Sequence, residues 1–537
     1  MRRELAKLMS SSVVHACVLV ALALALFVPA LGASGYAHAE AFRVQPAYEM
    51  MQRGDYIVVR LFEQAYLRKP PGMPWAVALS TWLFGPGEFA SRLVSAVATS
   101  LGGLIVFAFA QRWFGKPYGL IAGLAYILAP ALWWYPPIAR SAEIEALLNV
   151  FVASGALLIV QLLVGRVYTS GDSRPWPRTL LLGAALTLAL TGALLTKGPA
   201  GVPVFIGAAV AGWSLRRRDT RFATSSLREW FVLILAALIA TTALAGWAWL
   251  AHARVRAAGE SVVLESPTMF LFQPQRVLEI ITLPVVVIAA MLPTSLGVLA
   301  VAMYHRGVPT APATRAPTRM AQALTLTAAI SVLVFMLAGI GNNRYVVPII
   351  PVLAAACAAG AWVLVQRARG FDIAARAREM MRLKRFAAVT VTLLIAAAIF
   401  SAWYGEHRRN VRTSGKAFGQ ELGAALTHDA ELWADQVIDT RPEVIMAAVD
   451  VAKSHGITIR PRWMPIALWR DTHGPTSVPL PPPGSYIILR TDDLPRRDQY
   501  ELDEEHEYAP ILPHLYEVHR GMVHNFEYRV YEVTISD

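Results

Sequence analysis

Apolar runs of roughly 16 to 24 residues recur from Ser12 to Tyr404, separated by short polar pieces. A bilayer core takes about 20 apolar residues per helix. The pattern therefore predicts a mainly α, polytopic membrane protein with about eleven transmembrane helices. The spans read as 12–33, 89–111, 119–134, 146–164, 179–195, 200–215, 229–251, 280–303, 320–339, 346–366 and 386–404. Short or re-entrant elements, with Trp75–Leu83 the main candidate, could raise the number to about thirteen. Two gaps are long, 34–88 and 252–279. The first has helical periodicity around Ala47–Gln52 and amphipathic character around Trp75–Leu83, the pattern of helices lying along a membrane surface.

After Tyr404 the period changes. Leu422–Leu426 and Val444–Ser454 read as helices, while Glu431–Val437, Tyr486–Arg490 and Tyr528–Val533 read as strands. Pro481-Pro482-Pro483-Gly484 supplies a turn before the second strand. The expected organisation is a transmembrane domain over 1–405 and a small α/β domain over 406–537, long enough to bury its own core.

Charge gives the pattern a direction. One set of polar pieces is basic: Arg2, Arg3 and Lys7; Arg216, Arg217 and Arg218; and the run from Arg367 to Arg385. The alternate set mixes carboxylates with single cations. Basic loops stay in the cytoplasm, so the N-terminus is expected inside, and the mixed set and the C-terminal domain outside. Through Glu406 there are 35 Lys and Arg against 17 Asp and Glu, whereas the remaining 131 residues hold 14 against 20. The overall +12 is thus a property of membrane loops. A nucleic-acid partner would need cations gathered on one folded surface, and none is expected; the basic run after Gln366 suits anionic lipid headgroups instead. The chain is 55% hydrophobic, with a mean hydropathy of +0.45. Ala37-His38-Ala39 resembles a signal-peptidase site, but Val13–Leu31 is long for a signal peptide and a retained first span is expected. Cys17 and Cys357 both lie in apolar runs, so no disulfide framework or cysteine metal site follows. His514, His519 and His524 have no recognised ligand spacing and read as solvated or hydrogen-bonded.

The mixed layer holds the candidate chemistry. Arg68, Lys69, Arg140, Lys197 and Arg344 arrive from separate gaps at one face. Such cations suit a phosphate or pyrophosphate at the membrane surface, since arginine grips it bidentately and lysine offsets its charge. Pro70-Pro71 stiffens the chain behind Lys69. Glu40, Asp55, Glu143 and Glu145 add carboxylates, one of which could take a proton from an attacking hydroxyl while the others orient substrate. Oxygen ligation of a divalent metal is a further use open to them. No cofactor is otherwise implied.

Gly54-Asp55-Tyr56, Tyr66-Leu67-Arg68-Lys69-Pro70-Pro71 with Trp75, and Phe89-Ala90-Ser91-Arg92-Leu93 resemble the first outer loop and second span of bacterial polytopic glycosyltransferases of the GT-C class. The resemblance is to the branch shared by protein mannosyltransferases and the lipid A aminoarabinose transferase, and it covers roughly residues 10–405. Ala142–Leu147, Leu195–Pro199 and Arg344-Tyr345-Val346-Val347-Pro348 fit later motifs in the right order. It implies transfer of a sugar, with inversion, from a polyprenyl-phosphate donor to a lipid, glycan or protein acceptor outside a bacterial inner membrane. Lys69 matches the lysine that contacts the donor phosphate, with Arg68, Lys197, Arg344 and Tyr345 beside it. Glu40 matches the second acid of the first loop and is the expected base. Asp55, Arg140, Glu143 and Glu145 are expected to orient sugar or acceptor. Two departures bear on the chemistry: Ala39 stands where many members have Asp, and Arg68 where the aminoarabinose branch has Glu. A transporter or flippase, or a non-catalytic relative that binds a lipid-linked sugar, are the alternatives. The absence of an internal repeat and the one-sided charges speak against the first.

Overall fold

The computed structural model describes residues 11–36, 40–133, 138–165, 176–217, 227–260, 262–263, 277–290, 292, 294–308, 311–339, 347–369, 414–435, 442–464, 481–490, 515–523 and 526–534, with isolated positions between 381 and 399. The helices are α1 (Ser12–Phe27), α2 (Ala41–Arg53), α3 (Gly72–Phe84), α4 (Glu88–Phe114), α5 (Lys116–Ile127), α6 (Pro130–Trp133), α7 (Ile144–Leu163) and α8 (Trp176–Lys197). After a 3₁₀ turn at Gly198–Gly201 come α9 (Val202–Arg217), α10 (Leu227–Ala257), α11 (Val277–Ala290), α12 (Leu296–Tyr304), α13 (Pro312–Leu337) and α14 (Ile350–Ala368). Among the described residues, six helical stretches are long and apolar enough to cross a membrane: Glu88–Phe114, Ile144–Leu163, Pro177–Arg216, Leu227–Ala257, Ala313–Leu337 and Val347–Ala368. The chain is a polytopic membrane protein.

Burial sorts these spans. The apolar window of Val347–Ala368 is 83% buried and that of Leu227–Ala257 only 22%. The first is the bundle's centre and the second runs along its rim, with Leu235, Leu238 and Trp249 exposed where lipid would lie.

Several expected spans come out shorter or broken. The first helix ends at Phe27 because Pro29 follows and Ala30 adopts φ 56°. The span expected at 119–134 is two helices, α5 and the one-turn α6. That expected at 280–303 is α11 and α12, with Pro284 inside the first and Pro293 in the sequence between them. The span expected at 386–404 lies outside the described residues except for isolated positions.

At one end of the bundle, α2, α3 and a small sheet form a layer. β1 (Arg60–Leu61) and β2 (Gln64–Tyr66) make an antiparallel hairpin, and β3 (Val262–Val263) pairs parallel to β2. Beyond Tyr404 the described residues form α15 (Ser414–Ala425), β4 (Ala430–Asp435), α16 (Pro442–Ser454), β5 (Ile459–Met464), β6 (Tyr486–Arg490), β7 (Leu515–Val523) and β8 (Phe526–Val533). The strands make a five-stranded mixed sheet in the order β5-β4-β6-β8-β7. The periodicity located β4, β6 and β8 but missed β5 and β7, whose polar and charged residues interrupt any alternation. One apolar core joins this sheet domain to the end layer, with Phe42, Met50, Phe62 and Tyr66 packed with Phe418, Leu422, Leu432 and Tyr486. An ion pair from Lys416 to Glu88, 2.7 Å, adds a second tie.

Candidate active site

Glu40 immediately precedes α2 and is fully buried. Arg92, on the second turn of α4, meets it side-on: Nε donates to Oε1 and Nη2 to Oε2, both at 2.8 Å. The guanidinium also donates to the carbonyls of Leu31, Ser34 and Gly35 at 2.6 to 2.8 Å. Glu40 Oε1 accepts in addition from the Ala142 N–H at 2.8 Å. A bidentate guanidinium and an amide donor compensate the buried carboxylate. Both carboxylate oxygens are occupied in joining three chain segments. Glu40, the expected base, here holds the first loop to α4 and to the segment before α7.

Around this pair the loop is closely tied. The Tyr36 hydroxyl lies 3.1 Å from both Ser91 Oγ and Tyr48 Oη, and its ring lies beside the Arg92 guanidinium, 5.8 Å from the ring centre. Burial, and then the neighbouring Tyr48, push the Tyr36 phenol up, so it stays protonated and able to donate. Arg92 stood in the sequence as part of a motif without a role. A cation inside an apolar run was the available signal that it would have a fixed partner.

Arg68 and Lys69 leave β2 in a turn, half-buried, with the Arg68 guanidinium 5.9 Å from the centre of the Tyr66 ring. Pro70 and Pro71 follow, and α3 begins at Gly72. A Cβ at Gly72 would stand 2.7 Å from the Leu195 carbonyl oxygen and 3.0 Å from the Thr196 Cα, so only glycine allows this approach. The contact brings the start of α3 against the end of α8, where Lys197 is the last residue. Gly198, at φ 58°, breaks the helix behind it. Lys197 Nζ donates to Glu145 Oε1 at 2.7 Å, and the two side chains are 7% and 1% exposed. The structure therefore brings the Lys69 segment next to the buried Lys197–Glu145 pair.

The other expected residues have distinct settings. Asp55 Oδ1 accepts from the Ile57 N–H at 3.0 Å and from Arg254 Nη1 at 2.8 Å, and its side chain is 25% exposed. Two tryptophans fix this loop: Trp75 Nε1 donates to Tyr56 O at 2.7 Å and Trp247 Nε1 to Ile57 O at 3.0 Å. Arg140 donates to the carbonyls of Leu26 and Pro29 at 3.0 and 2.7 Å, capping the end of α1. A cation there meets helix carbonyls that lack an intrahelical partner and the negative end of the dipole. Glu143 is buried in front of α7, its backbone N–H and C=O each 3.3 Å from Ser95 Oγ. Arg344 and Tyr345 lie outside the described residues, as do Ala39, His514 and His524. Among the described residues, no group of three or more His, Cys, Asp or Glu is arranged as a metal site.

The dolichyl-phosphate-mannose-protein mannosyltransferase family model matches residues 68–250. That segment carries Arg68, Lys69, Arg140, Glu143, Glu145 and Lys197. An undecaprenyl phosphate-α-4-amino-4-deoxy-L-arabinose arabinosyl transferase of Pectobacterium carotovorum is 33% identical over 111 residues, 20% of each chain. Its counterpart in Edwardsiella ictaluri is 39% identical over 80 residues, 15% of this chain and 14% of that one. The matched segment thus spans about a fifth or less of the length of these relatives. In three dimensions the likeness is nearly full-length. ArnT from Cupriavidus metallidurans superimposes with a TM-score of 0.61 in the apo state and 0.59 bound to undecaprenyl phosphate. Each superposition covers 96% of this chain and 97% of that one, at 18% identity. In fold over almost its whole length, and in sequence over the segment that holds most of the candidate residues, the chain resembles the GT-C polytopic glycosyltransferases, with ArnT as a solved example.

Proposed function

We propose that this protein is a membrane glycosyltransferase that moves a sugar from a polyprenyl-phosphate donor to a lipid, glycan or protein acceptor, with inversion. The observation that carries the reading is the Lys69 segment held by Pro70, Pro71 and Gly72 against the end of α8, beside Lys197 and Glu145. A phosphate leaving group gains negative charge as the glycosidic bond breaks. Cations already fixed where that charge develops lower the barrier more than they tighten binding of the ground state. Lys69 and Arg68 take that role, with Lys197 held behind them and Arg344 and Tyr345 contributing from their own segment. The sugar-bearing end of the relative's arabinosyl donor, and the undecaprenyl phosphate held in the ArnT structure, are of the class this arrangement suits.

The acceptor hydroxyl must lose a proton as it attacks. Glu40 was the expected base, but its bonds to Arg92 and Ala142 make it the holder of the loop. Asp55, partly exposed on the same layer, is the carboxylate proposed for proton removal. Arg140, Glu143 and Glu145 shape the site around sugar and acceptor. By charge the N-terminus lies in the cytoplasm, and the end layer and the domain over 406–537 lie outside a bacterial inner membrane, packed on a transmembrane domain over 1–405.

The test is release of polyprenyl phosphate from a polyprenyl-phosphate sugar by the full chain in bacterial envelope vesicles, which also carry the lipid, glycan and protein acceptors that must receive the sugar. Lys69→Ala should lower the rate by about 10²–10³-fold with folding intact. Near-normal release would overturn the phosphate assignment. Donor binding with no release by the wild-type chain would assign the non-catalytic reading instead.

A further inference from the structure

The Arg68–Lys69 turn follows directly from the β1–β2 hairpin, and that hairpin closes in an unusual way. Its two central residues are Phe62 and Glu63, at φ 51° and 67°. With φ above zero at both central positions this is the type I′ form of a two-residue hairpin, in which Asn-Gly and Gly-Gly dominate. A phenylalanine in that region is strained and persists only where its surroundings impose the conformation.

The imposing group is Glu49, on the buried face of α2 and 5% exposed. Oε1 accepts from the Phe62 N–H at 2.6 Å and Oε2 from the Glu63 N–H at 2.9 Å. Gln45 Nε2 donates to Oε1 at 3.1 Å and fixes the carboxylate from one turn earlier on the same helix. Both oxygens thus grip successive amides of the strained turn. The Phe62 side chain is buried in the core shared with the C-terminal domain. Downstream, the Tyr66 N–H donates to Val59 O at 2.8 Å, and Tyr66 stacks on Phe42 of α2 and under Arg68. Hydrogen bonds join Glu49 to the turn, the short hairpin joins the turn to Tyr66, and a ring contact joins Tyr66 to Arg68.

We propose that Glu49 is a positioning residue for the candidate phosphate-binding cations: by holding the Phe62–Glu63 turn in its left-handed conformation it sets where Arg68 and Lys69 stand. The proposal rests on the phosphate reading above and adds the device that orients its cations. Glu49 itself touches neither phosphate nor sugar. It acts through the hairpin, so its loss should be repaired by making the turn favourable without it. Glu63→Gly does this, because glycine adopts φ near 67° without strain and is the preferred residue at that turn position.

The experiment uses the full chain in lipid nanodiscs, titrated with undecaprenyl phosphate, with hydrogen exchange of the 60–66 amides read in parallel. Glu49→Gln should weaken binding about tenfold, as a small misplacement of binding groups does, and speed exchange at Phe62 and Glu63. Combining it with Glu63→Gly should return binding to near the wild-type value, and Glu63→Gly alone should bind as wild type. Wild-type binding by Glu49→Gln, while Lys69→Ala loses it, would overturn the positioning role and leave the phosphate reading standing. Wild-type binding by Lys69→Ala would overturn the phosphate reading, and this proposal with it. A loss in Glu49→Gln that Glu63→Gly fails to repair would make Glu49 merely structural and also overturn the proposal.

Discussion

Two buried carboxylates stand at opposite ends of α2, and they are buried for different reasons. Glu40 faces a guanidinium that is itself saturated by three backbone carbonyls. Glu49 faces two backbone amides and a side-chain amide. The first is a charge neutralised by a full opposite charge, and the second is stabilised by dipoles alone at short range. Both hold backbone in place near the candidate site. The contrast teaches that a carboxylate in such a layer is as readily a clamp as a base, and that the kind of partner decides how it responds to mutation and to pH.

The largest effect should come from breaking the charge-compensated end. Arg92→Met leaves Glu40 buried opposite a thioether and three carbonyls without their donor. Removing one partner of a buried pair costs about 3–5 kcal/mol, enough to lower the unfolding midpoint sharply in detergent or to prevent accumulation of folded protein. Glu40→Gln in the Arg92→Met chain should recover part of that loss, since the uncompensated charge is gone. A single-variant cost below about 1 kcal/mol would place this pair with ordinary surface bridges and erase the contrast.

Lys197→Met probes the same principle deeper in the candidate site. Its ammonium makes one short contact to Glu145 where Arg92 makes a fork, so the cost should sit at the low end of the range, about 3 kcal/mol. The same variant should lower transfer, because Lys197 adjoins the Lys69 segment. Loss of transfer with stability unchanged would make Lys197 a substrate contact more than a partner of Glu145.

These pairs also mark what the sequence could reveal. Span-length apolar runs are local, so α4, α7, α10, α13 and α14 were legible. Pairing is not local. Glu40 and Arg92 are both visible as charges, yet nothing in their spacing says that they cancel each other, because a loop and a helix must fold before they meet. Arg140 was visible as a cation of the mixed layer, but its contacts to the end of α1 depend on where another helix ends. Asp55 reads as an acid in a motif in either view, and its Arg254 partner comes from the far end of α10. Glu49 carried no signal at all: its function lies in the backbone angles of Phe62 and Glu63, which a residue string does not display.

The amide-held end should show itself in pH dependence. Burial, its leading cause, raises the Glu49 carboxyl above the ordinary value of 4.5, against the opposing pull of the Glu63 N–H, Gln45, the Phe62 N–H and Arg53. With the folded value above the unfolded one, the folded chain binds the extra proton between the two. Its contribution to stability is then fully present below 4.5 and is lost as pH rises through the raised value. The unfolding midpoint of the wild-type chain should fall across that window, and Glu49→Gln should flatten the fall. A slope unchanged by Glu49→Gln would mean that other groups set it and that Glu49 is as well compensated as Glu40.

The smallest effect concerns what else holds the hairpin. Arg462 of β5 lies 3.8 Å from Glu63 and 2.9 Å from Glu431, and the Arg462 and Glu63 side chains are 30% and 47% exposed. Exposed pairs of this kind contribute about 0.2–1 kcal/mol, because solvent screens them and ordering two long side chains opposes the gain. The apolar contact is a different matter: Phe62 is 3% exposed in a core shared with Phe418 and Tyr486, and its burial is worth about 1.5–3 kcal/mol. Arg462→Ala should therefore leave exchange at the Phe62 and Glu63 amides within about twofold of wild type, whereas Phe62→Ala should release it. If Arg462→Ala alone opens the turn, charge on the C-terminal sheet has a share in setting Lys69, and the hairpin end of α2 is held electrostatically like the Glu40 end after all.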